Sequence, residues 1–338
     1  KRPPAPPFIT STLQQEASRL LHFSPSHTMA VAQRLYEGVE LGDEERVGLI
    51  TYMRTDSVRL SNEAIASVRD VIAERFGPAY LPAKPIPYKN KRSAQDAHEA
   101  IRPTYAGRAP SELKDLLGRD ELRLYTMVYN RFLACQMVPA LYDGTTVDVA
   151  ADDIELRATG SVLKFDGYLA AYRAAKTDEP TEEPAVEDEA EAASGTLPPD
   201  LAEGMPLVLH ELAGDQRFTE PAPRFSEATL VRELEERGIG RPSTYATIVT
   251  TVQSKGYVAK NQGKLRPSEL GRVVNDLLVA HFSDIVDYDF TARLEQELDE
   301  VEEGRKGRLD VLGAFWKTFE GTLDKAKTEM RSVEADAI

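Results

Sequence analysis

Apolar positions recur at helical spacing in the first third of the chain, alternate with period two in the middle, and return to helical spacing at the end. Leu13, Ala17, Leu20 and Leu21 follow Thr10-Ser11-Thr12, whose hydroxyls can cap a helix. The spacing predicts a second helix over 31–36, a charged loop over 38–45 and a short strand over 47–53 that ends near Tyr52. Ser61 should cap a helix whose inward face is Ile65, Val68, Val71, Ile72 and Phe76, stopped by Gly77-Pro78. A long helix follows Asp120, with Leu122, Tyr125, Val128, Tyr129, Phe132 and Leu133 as its packing stripe.

Past about residue 140 the alternation Thr145, Val147, Val149 and then Ile154, Leu156, Ala158 predicts two strands joined by a turn at Asp152-Asp153, with another strand over 207–212. Helical spacing resumes at Ser226, which should cap a helix carrying Leu230, Val231 and Leu234 and ending at Gly238. A second helix is expected over 243–255, with Ile248, Val249 and Val252 inward. The pairs Tyr257-Val258 and Lys264-Leu265 flank Asn261-Gln262-Gly263, which reads as a hairpin turn. Helix, turn, helix and β-wing in that order form a winged-helix pattern, a layout that commonly binds DNA.

Composition adds class and compartment. With 338 residues, two or three domains are expected, and 41% hydrophobic with 29% charged residues describes a globular chain. No stretch approaches the ~20 apolar residues that span a bilayer, so no membrane partner is expected. The proline-rich start, residues 1–7, reads as a linker rather than a signal peptide. One cysteine, Cys135, rules out an internal disulfide and a cysteine zinc cluster; it reads as a buried filler in a chain of the reducing cytoplasm. The net charge of −15 is wrong for a uniformly DNA-coating surface. It is uneven, however: residues 1–138 carry +3, residues 139–222 carry −14 and residues 223–338 carry −4. Eight of the acids fall within 178–191, a Pro/Glu/Ala-rich run read as a disordered insertion over 177–196. A local basic groove remains compatible with this charge.

The most chemically loaded stretch is Thr51-Tyr52-Met53-Arg54-Thr55-Asp56-Ser57. It sets a phenol, a guanidinium, a carboxylate and hydroxyls close together, a mixture suited to attacking a phosphodiester and holding the phosphate. A phenol titrates near ~10, so as a nucleophile it needs a base or nearby positive charge. Arg54 offers a planar fork for phosphate oxygens. Any one of 13 tyrosines is more often a half-buried core residue. The wider motif changes that balance. Leu49-Ile50-Thr51-Tyr52-Met53-Arg54-Thr55-Asp56-Ser57 resembles the active-site signature of type IA DNA topoisomerases. Ala97-His98-Glu99-Ala100-Ile101-Arg102-Pro103-Thr104 resembles a second block of that family, and Arg224-Phe225-Ser226-Glu227 running on to Gly238-Ile239-Gly240-Arg241-Pro242-Ser243-Thr244-Tyr245 a third. The likeness extends from about Phe8 to about Phe319, and Met53, where type III relatives tend to carry proline, points to the bacterial topoisomerase I branch.

The resemblance implies a multidomain α+β core in which mainly helical, winged-helix-like domains are joined by a β-rich arch module. The corresponding division is a linker at 1–7, a helical domain carrying the tyrosine at 8–138, the arch module at 139–222, a helical single-strand-holding domain at 223–330 and a tail at 331–338. It implies that Tyr52 attacks one DNA strand to give a 5′-phosphotyrosine, that the other strand passes, and that the cut reseals without ATP, relaxing negatively supercoiled DNA. Arg54 would neutralise the phosphate and His98 would assist at the tyrosine, while Thr55 and Asp56 orient the loop. Gln33, Thr51 and Glu37 match positions near the bound strand, although an apparent insertion over 39–46 blurs the placement of Glu37. Gly240, Arg241, Ser243 and Thr244 at a helix start, with Lys255 at that helix's far end, would seat phosphates. Ordinary capping by Ser243 is the plainer alternative. Arg102 would touch DNA or pair with Glu99 on a short helix.

Type IA enzymes also need a Toprim domain whose acidic residues bind Mg²⁺, and no such block is found here; Asp287-Tyr288-Asp289 lacks the context. The expectation is therefore a central piece of a nucleoid-associated cytoplasmic monomer, with no metal ligands of its own, partnered by single-stranded DNA and a separate Toprim domain and inactive alone. A single-stranded DNA-binding module without catalysis is the alternative. A winged-helix regulator would account for 226–267 but not for Tyr52.

Overall fold

The structure, a computed structural model, describes all residues except 43–45, 91–97, 175–196, 199, 212 and 331–338. In chain order the helices and strands are α1 (Thr10–Glu16), a wider helical turn (Ala17–Leu21), α2 (Pro25–Glu37), α3 (Asn62–Phe76), α4 (Arg119–Ala134), β1 (Leu141–Ala151), β2 (Ile154–Phe165), α5 (Leu169–Arg173), α6 (Glu227–Glu236), α7 (Tyr245–Ser254), β3 (Val258–Asn261), β4 (Lys264–Pro267), α8 (Glu269–His281), α9 (Tyr288–Glu302) and α10 (Arg308–Glu329). An α+β content is thus present, dominated by helix. The proposed 177–196 insertion and 331–338 tail lie outside the described residues.

The chain divides into two compact units, each assembled from separated stretches: Lys1–Pro6, Asn62–Pro87 and Asn130–Pro223 in one, and Pro7–Ser61, Tyr88–Tyr129 and Arg224–Ile338 in the other. The grouping cuts across the contiguous segments suggested by sequence, because the stretch 8–138 contributes to both.

The first unit is built on a long antiparallel hairpin. β1 and β2 pair from Leu141↔Phe165 to Ala151↔Ile154, turning at Asp152, whose φ is 54°. Most side chains of the hairpin are exposed on both faces, so its order rests on the ladder and on its base. There Arg2 and Ala140 exchange backbone hydrogen bonds at 2.9 and 3.0 Å, and the Tyr80 hydroxyl donates to Asp166 at 2.9 Å. The strand expected over 207–212 does not form: residues 207–211 are exposed, with no strand pairing among the described residues, and position 212 lies outside them. Apolar residues without a neighbouring ladder have nowhere to donate their backbone N–H groups as a strand. Gly77 at φ 89° ends α3, as its sequence suggests.

The second unit carries Tyr52. α2 begins earlier than the apolar spacing indicates, because Ser24 caps it through His27 N at 3.2 Å and Pro25 fits its first turn. Residues 47–53 are extended but form no strand. Their partners change every few residues: Val39 opposite Val47, the Leu35 carbonyl for Leu49 N at 2.7 Å, then Ile50 opposite Pro103. A proline partner has no N–H to continue a ladder. Residues 98–104, expected as a short helix, are likewise extended, bridged at Phe8↔Ile101 and Ile50↔Pro103.

The winged-helix order of the last segment is present. Ser226 caps α6 through Thr229 N at 3.2 Å, and Val231, Tyr245 and Val249 form a small core with Leu230 and Leu234. β3 and β4 pair around Gln262 and Gly263, both at positive φ, which is the backbone a two-residue hairpin turn requires. Leu265, on β4, is buried, its N–H donating to the Phe225 carbonyl at 2.7 Å.

Candidate active site around Tyr52

Along 52–55 exposure alternates: Tyr52 and Arg54 face solvent, while Met53 and Thr55 are each 1% exposed. The two neighbouring buried side chains fix the backbone, and the two exposed ones are left for chemistry. Tyr52, 37% exposed, lies between two rings, with Tyr36 at 5.4 Å and His98 at 5.5 Å between centroids. Tyr36 comes from the last turn of α2; Leu49 N bonds the Leu35 carbonyl, and a Cβ on Gly48 would lie 2.7 Å from the Tyr36 carbonyl oxygen. Glycine at 48 is what lets this backbone approach so closely.

Hydrogen bonds hold the loop on both sides of Tyr52. On its N-terminal side the Thr51 hydroxyl donates to the Ala100 carbonyl at 2.7 Å and accepts from Arg102 N at 3.0 Å, while Thr51 N donates to the Arg102 carbonyl at 2.9 Å. This ties Tyr52 to the segment that presents His98, itself anchored by Ala100 N to the Arg59 carbonyl at 2.8 Å. On the C-terminal side the buried Thr10 hydroxyl donates to the Met53 carbonyl at 2.7 Å and accepts from Thr55 N at 2.9 Å. The Thr55 hydroxyl in turn accepts from Ser57 N at 3.0 Å.

The remaining sequence candidates divide into those at this loop and those committed elsewhere. Gln33 and Glu37 lie one turn apart on α2 and hydrogen-bond to each other, on the helix that supplies Tyr36. Arg102 is engaged: Nη2 reaches Glu99 at 2.7 Å and Nη1 donates to the Pro103 carbonyl at 2.9 Å, so the Glu99 pairing forms, on extended backbone rather than a helix. Arg241 is engaged as well, donating from Nε and Nη2 to the two Asp299 oxygens at 3.2 and 2.8 Å and from Nη1 to the Gly240 carbonyl at 2.7 Å. Ser243 does not cap α7, which begins at Tyr245 with Thr244 at its cap position. The Thr244 hydroxyl instead accepts from Arg241 N at 2.8 Å and closes the turn after Gly240, whose φ is 81°. Ser243, Thr244 and Lys255 are exposed.

Tyr245 is buried, and its phenol is pushed upward by burial first and then by the carboxylates of Glu235, Asp56 and Glu295, against the Arg241 guanidinium. α7 also packs on α2. Nothing in the sequence gives Thr10, Tyr36 or Tyr245 a role at this loop, although Tyr245 ends the third family-like block. Thr10 looked like a capping residue, and no spacing rule pairs position 10 with 53–55. A cleft of about 590 Å³ lined by Phe290, Phe315, Phe319 and Arg293 contains none of Tyr52, Arg54 or His98. Among the described residues no three His, Cys, Asp or Glu gather as a metal-binding group.

This unit thus presents an exposed tyrosine beside a histidine ring, with an exposed arginine two residues on and a winged-helix segment further along the chain. Residues 1–313 match the DNA topoisomerase family, and the chain belongs to it, on its bacterial type IA side. It is 45% identical over 340 residues to DNA topoisomerase 1 of Xylella fastidiosa, covering 100% of this chain and 41% of that protein. Against DNA topoisomerase 1 of Rickettsia felis the identity is 47% over 332 residues, covering 97% of this chain and 41% of the relative. The solved structure of full-length topoisomerase I from Thermotoga maritima superposes with a TM-score of 0.77 at 37% identity, covering 95% of this chain and 50% of that one. The chain thus spans about 41% of the length of the curated relatives it matches.

Proposed function

We propose that this chain carries the strand-cleaving tyrosine of a type IA topoisomerase that relaxes negatively supercoiled DNA without ATP. The observation that supports it most is Tyr52 itself, exposed on a backbone pinned on both sides, with Arg54 exposed two residues on and the His98 ring 5.5 Å away. The Tyr52 phenol oxygen bonds to phosphorus as the P–O3′ bond breaks. The phenol proton leaves toward His98 or solvent, and the departing 3′-oxygen takes a proton. The 5′ phosphate stays on Tyr52, so the bond energy is conserved and the 3′-hydroxyl reverses the reaction after strand passage. Arg54 offers its guanidinium to the phosphate oxygens as negative charge builds on them. Thr55 and Asp56 hold the loop; Gln33, Glu37 and Thr51 line the approach of the strand. Gly240, Ser243, Thr244 and Lys255 seat its phosphates, with Arg241 holding the turn at Gly240 and Arg102 bracing the segment that presents His98.

Mg²⁺, on an acidic Toprim site outside this chain, would neutralise phosphate charge when bound. Alone, the chain is then expected not to cleave at a useful rate. A monomer working in the cytoplasm completes the reading; no helix among the described residues is long and apolar enough to cross a membrane.

The test is a denaturing-gel assay for a covalent adduct with labelled single-stranded DNA and Mg²⁺, run on the chain alone and with a Toprim fragment supplied, each beside Tyr52→Phe. An adduct that needs both Tyr52 and Toprim is expected. An adduct that survives Tyr52→Phe would overturn the assignment. Tight strand binding with no adduct in any arm would favour a binding module.

A further inference from the structure

The Tyr52 loop is held from one side by a side chain to which the chemistry assigns nothing. Thr10 is 0% exposed, and its hydroxyl bridges three backbone groups of the loop: the carbonyls of Met53 at 2.7 Å and Thr55 at 3.0 Å, and the N–H of Thr55 at 2.9 Å. Thr10 N adds a fourth bond to the Thr55 carbonyl at 2.9 Å. A single hydroxyl proton satisfies one carbonyl at a time while the oxygen accepts the Thr55 N–H, so Thr10 replaces the ladder that 47–53 never forms. Burial makes this specific, because neither Met53 nor Thr55 can exchange the bond for water.

We propose that Thr10 is a positioning residue for the cleavage reaction: with Thr51 on the other side, its hydroxyl fixes the backbone angle at which Tyr52 and Arg54 emerge. The proposal rests on Tyr52 being the nucleophile. Attack on phosphorus demands an aligned oxygen, and a misplacement of about 1 Å can cost on the order of 10²-fold in rate. Without the Thr10 hydroxyl, the Met53 carbonyl and the Thr55 N–H lose their partner, and residues 53–55 are held only by their buried side chains and the Thr10 N bond to the Thr55 carbonyl. Arg54 lies within that stretch, so loss of the Thr10 hydroxyl moves nucleophile and phosphate clamp relative to each other. Strand binding, which draws on several other residues, need not suffer.

The test uses the full chain with 3-fluorotyrosine in place of tyrosine, the Tyr52 resonance being identified by its loss in Tyr52→Phe, together with single-turnover adduct formation in the presence of the Toprim fragment. Thr10→Val keeps the volume and removes the hydroxyl; Thr10→Ser keeps the hydroxyl. The expected result is a shifted or broadened Tyr52 resonance and an adduct rate down about 10²-fold in Thr10→Val, with oligonucleotide affinity within about twofold, and near-wild-type behaviour in Thr10→Ser. A wild-type resonance and rate in Thr10→Val would overturn the proposal, as would an equal loss in Thr10→Ser. If Thr10→Val does not fold, the same resonance compared between Thr10→Ala and Thr10→Ser decides. If the unsubstituted chain forms no Tyr52 adduct, the nucleophile assignment fails, and the resonance still reports whether Thr10 fixes the loop.

Discussion

Arg241 places both ends of its guanidinium fork on Asp299 and a third donor on the Gly240 carbonyl, with Glu295 at 3.9 Å. A phosphate approaching the start of α7 would therefore compete with a bidentate carboxylate. Asp299→Asn removes the charge that holds the arginine and keeps the shape. Single-strand affinity should rise at low salt, and the slope of log affinity against log salt should steepen by about one phosphate contact. An unchanged slope in a binding titration would mean that Arg241 stays on its carbonyls and serves the turn alone. Cys135 makes a different single-residue statement. Burial drives its thiol from 9.0 up to about 12, against the smaller pull of Arg131. A group raised in the folded state stabilises fully below its unfolded value, and that contribution is lost as pH climbs toward the folded one. Stability should therefore fall between about pH 9 and 12, less steeply in Cys135→Ala, as read from denaturant midpoints. At this scale the sequence singles out Tyr52, its neighbours and Arg241 through motifs. It could not show that Arg241 was engaged, because Asp299 is distant in sequence and met only in the fold.

Elements were legible where local rules suffice and obscure where they depend on a distant partner. The Ser226 cap, the Gly77 stop and the Gln262-Gly263 turn follow from side-chain chemistry within a few residues. The alternating strands around Asp152 followed for the same reason. Residues 47–53 have the composition of a strand, but their neighbours are the end of α2 and a segment containing Pro103, so only isolated bridges form. Residues 98–104 carry an i,i+3 Glu99–Arg102 pair that suits a helix, yet bonds to Phe8, Arg59 and Thr51 keep them extended. The junction of α2 with this segment is tight. Gly48→Ala would set a methyl 2.7 Å from the Tyr36 carbonyl oxygen, displacing the helix end that supports the Tyr52 ring. We expect a loss of about 1–3 kcal/mol in chemical denaturation, with adduct formation falling further than the stability loss explains. A fully stable Gly48→Ala with normal adduct formation would show that α2 can shift without carrying Tyr52 along.

For the whole molecule, charge and chemistry pull in opposite directions. A net charge of −15 opposes strand binding, yet the stretch 1–138 that carries Tyr52 is itself at +3. The conflict is concentrated in residues 177–196, which hold eight carboxylates and no Lys or Arg. Excising them takes the net charge to −7 and leaves Tyr52, Arg54, His98 and the α7 turn in place. Repulsion from such a run reaches about 10 Å at ~0.1 M salt and about 3 Å at ~1 M. Single-strand affinity of the excised chain should therefore be several-fold tighter at low salt and converge with that of the intact chain as salt rises, while thermal melting stays the same. Equal affinities at low salt would place the run too far from the strand to act on it. A lowered melting temperature would instead mean that it packs against the fold, and its composition would then have misled. The first outcome alone makes these acids a brake on non-specific binding, set apart in the chain from Tyr52, Arg54 and His98.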